Sequence, residues 1–238
     1  TQLHNYTTTQ LHNYTTTQLH KRGSMPIISV TQRKGGCGKS NLVVHLWGAL
    51  KAKHPEAKVL VVDSDPQGSV TEFFEERKNI GLSCPVLSHQ VRNLKHQEKH
   101  FDYIIVDVAG RDSKEAVSVL RESDLTIVPV KPSSFDLNAL GYWLGRIEAE
   151  KEENSTLKTL VVINSAHTNP MSHELKDTKR ALLAVESIAT ISKTVIHERI
   201  AYRTSIANNK TIHEWNDSKA KGEISCLLKE IIELSGEK

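Results

Sequence analysis

A loop of the phosphate-binding type is indicated by the stretch QRKGGCGKSN at residues 32–41. Its bare backbone comes from three glycines, Gly35, Gly36 and Gly38. Such a loop lets N–H groups close around phosphate oxygens, and the N-terminus of a following helix adds a favourable dipole. Lys39 can neutralise the β- and γ-phosphates of a nucleotide, and the hydroxyl of Ser40 can bind Mg²⁺. We therefore predict nucleotide binding at this loop.

The loop departs from the usual pattern G-x-x-x-x-G-K-[ST] at its first position. Arg33 stands where the first glycine belongs, and an additional lysine, Lys34, follows it. Either the site is damaged or it requires two lysines. A plain tight turn that contains lysines is the weaker interpretation, because three glycines and K-S lie between a strand pattern and a helix pattern.

Acidic and amide side chains follow three other apolar segments. Asp63 and Asp65 come at and after the end of KVLVVD, Asp107 lies in YIIVDV, and Asn164 ends LKTLVVIN. The carboxyl ends of parallel strands meet at one edge of a sheet, where ligands bind. Carboxylates are costly to group unless a cation lies among them, so this edge is predicted to hold a metal ion. The alternative for Asp63 and Asp65 is that they only cap the next helix.

Short apolar segments alternate with helical patterns along the chain. Strands are predicted at 26–31, 58–63, 103–108, 124–130, 157–164 and 193–198. Helices are predicted at 41–53, 71–78, 113–123, 134–152, 171–186 and 219–235. This alternation indicates an α/β fold, a single domain whose mostly parallel, twisted sheet has helices on both faces. Together with the glycine loop between the first strand and the first helix, it predicts a P-loop NTPase. The polar segment 79–100 has the weakest pattern.

Residues 1–24 are set apart by a polar repeat. TQLHNYTT occurs twice in tandem, TQLH begins a third copy, and KRGS precedes Met25. The repeat is too short for a solenoid unit and lacks the apolar segment of a secretory signal. We expect 1–24 to be a disordered leader derived from an expression vector, and 25–238 to be one domain, the part of the chain to which the ATPase resemblance given below applies.

Composition excludes several classes of protein. The formal net charge of +3 includes Lys21 and Arg22 of the leader, so the remainder carries only +1, and a nucleic-acid surface would require segregated charge. The three cysteines are scattered without a C-x-x-C, which argues against a disulfide framework or a zinc site and suits a reducing cytoplasm. No apolar run approaches the ~20 residues of a membrane span.

Four motifs together resemble those of the ParA/MinD ATPases. KGGCGKS (34–40) is similar to the deviant Walker A motif K-G-G-x-G-K-[ST], and VVDSDPQGS (61–69) is similar to the D-x-D-P-Q-G segment. YIIVDVAG (103–110) resembles the Walker B strand, and IVPVKPSSFDL (127–137) resembles V-x-P-S-x-x-D-L. The order and spacing also resemble the family over 26–238, and most closely the short plasmid-partition ParA proteins.

The resemblance implies a role for each matching residue. Lys34 would be the signature lysine, which reaches the phosphates held by the partner subunit of an ATP-dependent homodimer. Lys39 would be the P-loop lysine, and Asp65 would position the attacking water. A lysine supplied by another subunit would act like an arginine finger, so hydrolysis would depend on dimerisation.

The resemblance also implies how Mg²⁺ and ATP are bound. The metal would be held by Ser40, Asp63 and Asp107. The nucleotide would be bound by Lys34, Gly35, Gly36, Cys37, Gly38, Lys39, Ser40, Asn41, Pro132, Ser133 and Asn164. Asn164 would meet the adenine, and Pro132 with Ser133 would lie near the nucleoside. Asn41 stands where the family commonly has a threonine, whose hydroxyl would contact the α-phosphate.

ParA-type proteins bind DNA without sequence preference as ATP-bound dimers, so the resemblance implies DNA binding and nucleoid association in the cytoplasm. The candidates for contacting DNA are Lys176, Lys179, Arg180, Arg199 and Arg203. The first three fall on one helical face and could contact phosphates. An ordinary solvated face explains the same pattern equally well.

Two further patterns have simpler interpretations. His96 and His100 are four residues apart, but with no third ligand evident they indicate a solvated face rather than a metal site. An apolar stripe in the last helix is formed by Ile224, Leu227, Leu228, Ile231 and Ile232. Residues 223–238 contain four Glu and two Lys, whereas membrane-binding helices favour basic residues, so the stripe is predicted to pack on the sheet. An iron–sulfur relative would need a pair of cysteines in the middle of the chain, and none occurs between Cys84 and Cys226.

We therefore predict a Mg²⁺-dependent ATPase of the ParA type that converts ATP and water to ADP and phosphate. A ParB-like or small centromere-binding adaptor would stimulate it, and a plasmid would be its cargo. The alternatives are a chromosome origin or a protein assembly as cargo, a MinD-like regulator that cycles on a membrane, and a P-loop kinase acting on a small molecule.

Overall fold

A single parallel sheet organises the structure. The structure is a computed structural model that describes residues 26–110, 113–169 and 172–236, with the backbone alone at 134–136. The strands within these ranges are β1 (Ile27–Val30), β2 (Val59–Asp63), β3 (Val86–Ser88), β4 (Tyr103–Asp107), β5 (Leu125–Val130), β6 (Lys158–Ala166) and β7 (Thr190–His197). Their order across the sheet is β3-β2-β4-β1-β5-β6-β7, and every neighbouring pair is parallel. Parallel strands need crossover connections, which here are mostly helices.

Helices cover both faces of this sheet. They are α1 (Lys39–Lys53), α2 (Ser69–Asn79), α3 (Leu94–Gln97), α4 (Lys114–Glu122), α5 (Ser134–Glu150), α6 (His173–Leu182), α7 (Ile200–Ala207) and α8 (Ser218–Ser235). Short 3₁₀ helices lie at Leu183–Val185 and Ile212–Glu214. The first apolar core contains residues of α1, α2, α7 and α8, whereas the second contains residues of α3, α4, α5 and α6.

The central strands are buried on both faces, which explains their continuously apolar sequences. In β4, Tyr103 and Ile105 belong to one core, while Ile104 and Val106 belong to the other. Since successive side chains of a strand point to opposite faces, a strand without polar positions can serve both layers. The prediction of an α/β fold with a parallel sheet and helices on both faces is confirmed.

The six predicted strands are present with small shifts of their ends, but one strand and two α-helices were missed: β3 and α3, both within the polar segment 79–100, and α7. β3 lies inside the polar segment 79–100 and is a short edge strand whose Val86 is 54% exposed. α7 lacks a regular apolar face and depends on tertiary contacts: the Tyr202 hydroxyl donates to the carbonyl oxygen of Ala220 in α8. The predicted leader, 1–24, lies outside the described residues.

The last helix packs on the sheet as predicted. Its buried residues include Ile224, Leu227, Leu228 and Ile231, and all four belong to the first apolar core. The apolar stripe is therefore occupied by the protein's own core. Within the described ranges, no helix combines the length and the apolar content needed to cross a membrane.

A buried guanidinium ties α2 to the segment after α7. Arg77 is fully buried and donates to the carbonyl oxygens of Ser83 and Asn209 and to both carboxylate oxygens of Glu214, at 2.9 and 3.0 Å. Its guanidinium also lies 5.3 Å from the ring centre of Trp47. Such a charge is tolerated in a core because its donors are satisfied. Burial raises the pKa of Glu214, but hydrogen bonds from Arg77 and Thr211 outweigh it, so the pKa lies below its ordinary value.

The Glu214→Gln variant is expected to lose about 1 kcal/mol of unfolding free energy at neutral pH, since the Glu214 side chain is partly exposed and solvent screens its charge. A lowered pKa in the folded state stabilises above the ordinary pKa, and this stabilisation is lost as the pH falls through the folded pKa. The difference between variant and wild type should therefore shrink in acid. Urea unfolding at several pH values measures it, with Glu233→Gln of an exposed pair as the unaffected control. An equal loss in both variants would contradict the expectation.

Candidate functional site

The carboxyl ends of the central strands bring the predicted site residues to one edge of the sheet. β1 lies between β4 and β5, and it ends at Val30, where the glycine loop begins. Asp63 and Asp107 end the adjacent strands β2 and β4 and are direct neighbours in their register. Asn164 lies in β6, on the other side of β5. The sequence spacing of these residues is large, and the topology alone places them together.

The glycine loop is anchored by an amide from β6. Asn164 is buried, and its Nδ2 donates to the carbonyl oxygen of Cys37 at 2.7 Å. Gly38 caps α1 in the left-handed conformation, with φ 89°. A Cβ at this glycine would lie 2.4 Å from Nδ2 of Asn164. Glycine is therefore required at 38 for both backbone and space, and Asn164 positions the loop; its predicted adenine contact stays a prediction.

Lys39 lies in the interior of the site rather than on its surface. Lys39 is the first residue of α1, and it is 7% exposed. A Cβ at Gly110 would lie 3.0 Å from Nζ of Lys39 and 3.5 Å from the carbonyl oxygen of Arg33. The glycine after β4 therefore allows the lysine to lie against the end of that strand, next to the space where the loop would hold phosphates.

Ser40 and Asp107 are joined directly. The Ser40 hydroxyl donates to Oδ2 of Asp107 at 2.6 Å. Asp107 is 1% exposed, and burial raises its pKa to about 7, with a further upward contribution from Asp63. The hydrogen bond from Ser40 and the charge of Lys39 act in the opposite direction. A carboxylate kept in such surroundings favours the approach of a cation.

The residues at this edge fit a hydrated Mg²⁺ ion bound together with a phosphate. Oδ1 of Asp107 is buried and lacks a hydrogen-bond partner within the described part of the chain. Ser40 supplies a hydroxyl beside it, and Asp63 a second carboxylate on the neighbouring strand. Across the described ranges, no three His, Cys, Asp or Glu side chains form an all-protein metal site. Mg²⁺ usually keeps several waters and binds one or two carboxylates with substrate phosphates, as this donor set would require.

Asp63 is held in place by the start of α2. Its Oδ2 accepts hydrogen bonds from both the backbone N–H and the hydroxyl of Thr71, and its Oδ1 accepts from the N–H of Asp65. Nδ1 of His89 donates to the Asp63 carbonyl oxygen at 2.9 Å. Asp65 is half-buried and accepts from the N–H of Gln67. The carboxylate of Asp63 is thus oriented by the protein, whereas Asp65 shapes a turn at the rim.

The remaining predicted nucleotide-binding residues lie around the loop and after β5. Cys37 is buried with its Sγ near the carbonyl oxygen of Lys34, at 3.3 Å, so it fills space beneath the loop. Asn41 is half-buried in the first turn of α1. Pro132 is buried and Ser133 half-buried between β5 and α5, at the same edge of the sheet. Gly35 and Gly36 have open space where a Cβ would lie.

Comparison with known proteins assigns the family. The model of the CobQ/CobB/MinD/ParA nucleotide binding domain matches residues 28–212, which is most of the chain. The chain belongs to this family. The resemblance to ParA and MinD inferred from the four motifs is thereby confirmed, and so is nucleotide binding as the family's general property.

Curated relatives of the CobQ/CobB/MinD/ParA family match nearly the whole length. The chain is 27% identical over 214 residues to maintenance of carboxysome distribution protein A of Halothiobacillus neapolitanus, covering 86% of this chain and 95% of that protein. It is 29% identical over 201 residues to protein ParA of Rhizobium radiobacter, covering 82% and 88%. The chain is thus similar to members named for the distribution of carboxysomes and to a ParA protein.

Solved structures share the fold. Apo McdA of Cyanothece superposes with a TM-score of 0.71 at 18% identity, covering 87% of this chain and 99% of that one. MinD of Pyrococcus horikoshii, complexed with Mg-ADP, superposes with a TM-score of 0.64 at 18% identity, covering 89% and 97%. At such identities the likeness concerns the fold, and the residue assignments rest on the geometry above.

The five basic residues predicted to contact DNA do not form one patch. Lys176, Lys179 and Arg180 are exposed together on α6, which belongs to the second core. Arg203 is exposed on α7, which packs on the opposite face of the sheet. Arg199 donates to Oε1 of Glu223 through Nε and Nη2, at 2.9 and 2.7 Å. Its guanidinium is thereby paired with a carboxylate of α8.

The same carboxylate organises the whole corner around α7. Glu223 also accepts from Nδ1 of His197 at 2.8 Å and from the Tyr202 hydroxyl at 2.9 Å. Donors from β7, from α7 and from Arg199 between them therefore converge on one carboxylate of α8. His96 and His100, considered above as metal ligands, have ring centres 6.4 Å apart, and no further His, Cys, Asp or Glu of the described ranges joins them to form a metal group.

Three residues of the site were missed by the motif interpretation. Thr71 orients Asp63, Gly110 makes room for Lys39, and His89 contacts the backbone of Asp63. The small residues Ala109 and Gly110 follow Asp107 closely in the sequence, so they could have indicated a close approach of another group to this strand end. Thr71 and His89 are brought in by the start of α2 and the end of β3, and their sequence positions carry no recognisable spacing.

The Gly38→Ala variant is expected to bind ATP about a hundredfold more weakly, because the left-handed backbone and the displaced Asn164 amide together cost about 3 kcal/mol. Equilibrium binding of a fluorescent ATP analogue measures the affinity, and urea unfolding measures the loss of stability. Gly68→Ala is the matched control, since Gly68 caps α2 with φ 66° but has open space around its Cβ position. Unfolding free energies lowered equally by both changes would rule out the steric part of the argument.

Proposed function

We propose that this chain is a ParA-type ATPase that dimerises on binding ATP, binds DNA without sequence preference and hydrolyses ATP slowly until a partner stimulates it. The observation that carries the proposal is the Ser40 hydroxyl bound to the buried carboxylate of Asp107, beside the interior Lys39 at the end of a glycine loop. This arrangement suits a triphosphate with its Mg²⁺ ion, which together supply the electrophilic phosphorus and neutralise its developing charge.

Each residue of the site has a stated task in this proposal. The N–H groups of 35–40 bind phosphate oxygens, and Lys39 neutralises the charge that develops on the γ-phosphate. Ser40 and the carboxylates of Asp107 and Asp63 would hold the Mg²⁺ ion, which would help to neutralise the phosphates. Asp65, at the rim, positions a water for attack, and Lys34 reaches the nucleotide of the partner subunit. Phosphoryl transfer depends mainly on such positioning and charge neutralisation.

DNA binding is proposed for the exposed cations at the β7 edge of the sheet. Lys176, Lys179 and Arg180 lie on one face of that edge and Arg203 on the other. Arg199 is left out of the contact set because Glu223 engages it. Phosphate contacts release counterions, so retention on DNA should weaken steeply with salt. Retention that is insensitive to salt or independent of ATP would contradict this part of the proposal.

The cargo is proposed to be a low-copy plasmid, with a ParB-like or small centromere-binding adaptor as the partner. A protein assembly is the second candidate, favoured by the relative named for carboxysome distribution. We do not propose a membrane cycle, because the apolar stripe of α8 is buried in the first core. Loss of the plasmid on deletion of the gene would support the first cargo, and retention of the plasmid with a mislocalised protein assembly would support the second.

Sedimentation in the presence of ATP tests the proposed function. The Asp65→Ala variant is expected to retain ATP and to sediment as a dimer, because its glycine loop, Lys39 and metal ligands are intact. Without nucleotide, or with Lys39→Ala, the chain should remain monomeric. A kinase would stay monomeric in ATP and form ADP only with its second substrate. Monomeric wild type in a slowly hydrolysed ATP analogue would reject the dimer, and rapid turnover by Asp65→Ala would remove that residue from its task.

A further inference from the structure

A basic cleft lies between α4 and α5, on the face of the sheet that carries the second core. Its volume is about 450 Å³. It is lined by Ser113, Lys114, Val117, Ser118 and Arg121 on the α4 side and by Arg146 on the α5 side. Three of these six residues are cationic, two carry hydroxyl groups, and Val117 supplies an apolar surface. None of them belongs to the nucleotide site described above.

The cleft keeps its positive charge although a carboxylate lies next to it. Glu150 accepts from Nε of Arg121 at 2.7 Å and forms an ion pair with Nη1 of Arg146 at 2.9 Å. The Glu150 side chain is 4% exposed, whereas that of Arg121 is 49% exposed, so the carboxylate lies behind the guanidinium groups. One negative charge is thus shared by two arginines, and Lys114 adds a third positive charge.

The spacing of the charges selects the shape of the occupant. Lys114 and Arg121 are two helical turns apart, which corresponds to about 10 Å along the axis of α4. An extended peptide with a rise of about 3.3 Å per residue spans this distance with three or four residues, so it can place one carboxylate beside each cation. Carboxylates of such a peptide would pair with the cations, and the serine hydroxyl groups would serve its backbone.

Duplex DNA fits this surface less well than a peptide does. The phosphate backbone of a duplex is convex and is contacted by protruding side chains, but here the cations line a recess that also contains the apolar Val117.

We propose that the α4–α5 cleft is the docking site for an acidic, extended segment of a partner protein. α4 follows Asp107 and Gly110 of the nucleotide site in the chain, and α5 follows Pro132 and Ser133. An occupant would therefore contact two helices that both begin shortly after residues of the nucleotide site in the chain. Any effect of docking on hydrolysis rests on the proposed ATPase function, whereas docking itself does not.

A fluorescein-labelled poly-glutamate peptide tests the docking site on the full chain at low salt. Saturable binding by fluorescence anisotropy is expected, and a poly-glutamine peptide of equal length should not bind. The Lys114→Gln, Arg121→Gln double variant is expected to bind poly-glutamate about tenfold more weakly or worse. Lys114→Gln alone, at an exposed position, should lose part of the affinity. The matched control, Lys176→Gln with Lys179→Gln on α6, should bind as the wild type does.

The outcomes separate this proposal from its competitors. Equal loss of poly-glutamate binding in the α6 control would show general basic-surface attraction and overturn the cleft. Loss of duplex DNA binding, with poly-glutamate binding intact, in the cleft variant would assign the cleft to DNA and overturn the peptide. Absence of saturable poly-glutamate binding to the wild type would also overturn it. Specific binding in a chain that forms no dimers with ATP would support the cleft while rejecting the proposed function.

Discussion

Replacing Lys34 with alanine is expected to lower ATP hydrolysis by about a thousandfold at protein concentrations where the wild type is dimeric, the size of effect that a cation supplied by another subunit produces. The site within one chain would remain intact, since Lys39, Ser40 and Asp107 keep their contacts. The wild-type rate per protomer should rise with protein concentration as dimers form. The rate of the variant should stay low and flat, which a phosphate-release assay over a concentration series measures.

Complementation decides whether Lys34 acts across the dimer. Mixing Lys34→Ala with Asp65→Ala places one competent site in each mixed dimer, because each chain supplies the residue that the other lacks. Activity should therefore recover in the mixture although each variant alone is inactive. If both variants bind ATP and form dimers but the mixture stays inactive, Lys34 acts within its own chain and the shared-nucleotide dimer is wrong.

The Asp107→Asn variant is expected to be more stable than the wild type without nucleotide and yet to lose Mg²⁺-dependent ATP binding. Burial raises the pKa of Asp107 to about 7 from its ordinary 3.8. Between these values the folded chain holds a proton that the unfolded chain has released, so this contribution to stability is complete in acid and is lost as the pH rises through about 7. At pH 8 the variant should gain about 2 kcal/mol in unfolding free energy, since asparagine avoids the buried charge.

Asp63→Asn is the matched control, because it changes the neighbouring strand end in the same way with the opposite expected sign. The carboxylate of Asp63 accepts hydrogen bonds from Thr71 and Asp65, so an amide would place a donor where an acceptor is needed. This variant should be less stable by about 1–2 kcal/mol. Thermal unfolding without nucleotide across pH 5–8 measures the stability of both variants. A stability change of the same sign in the two variants would contradict the conclusion that Asp107 is the carboxyl group destabilised by burial of its charge. Isothermal titration with Mg²⁺ and ATP measures the binding loss, at least about a hundredfold for Asp107→Asn.

The fold was predictable because its strands are apolar on both faces. A strand such as Tyr103–Asp107 has to be covered on each side, and continuous apolar runs separated by helical patterns leave a parallel sheet as the consistent arrangement. β3 was not predicted, because an edge strand of three residues with an exposed Val86 needs few apolar residues. α7 was not predicted, because its position is fixed by contacts of Tyr202 with α8 rather than by an apolar pattern in its own sequence.

The sequence by itself determined the glycine loop, its two lysines and the carboxylates at the strand ends, since these depend on residue type and local spacing. Only the tertiary structure decided which groups meet: that Asn164 anchors the loop at Cys37, that Thr71 orients Asp63, and that Glu223 engages Arg199. Such pairs lie far apart in sequence or follow no recognised spacing, so no periodicity connects them. The same reason separates Arg203 from the cations of α6, because facing opposite sides of one sheet is a property of the connections and not of the charges.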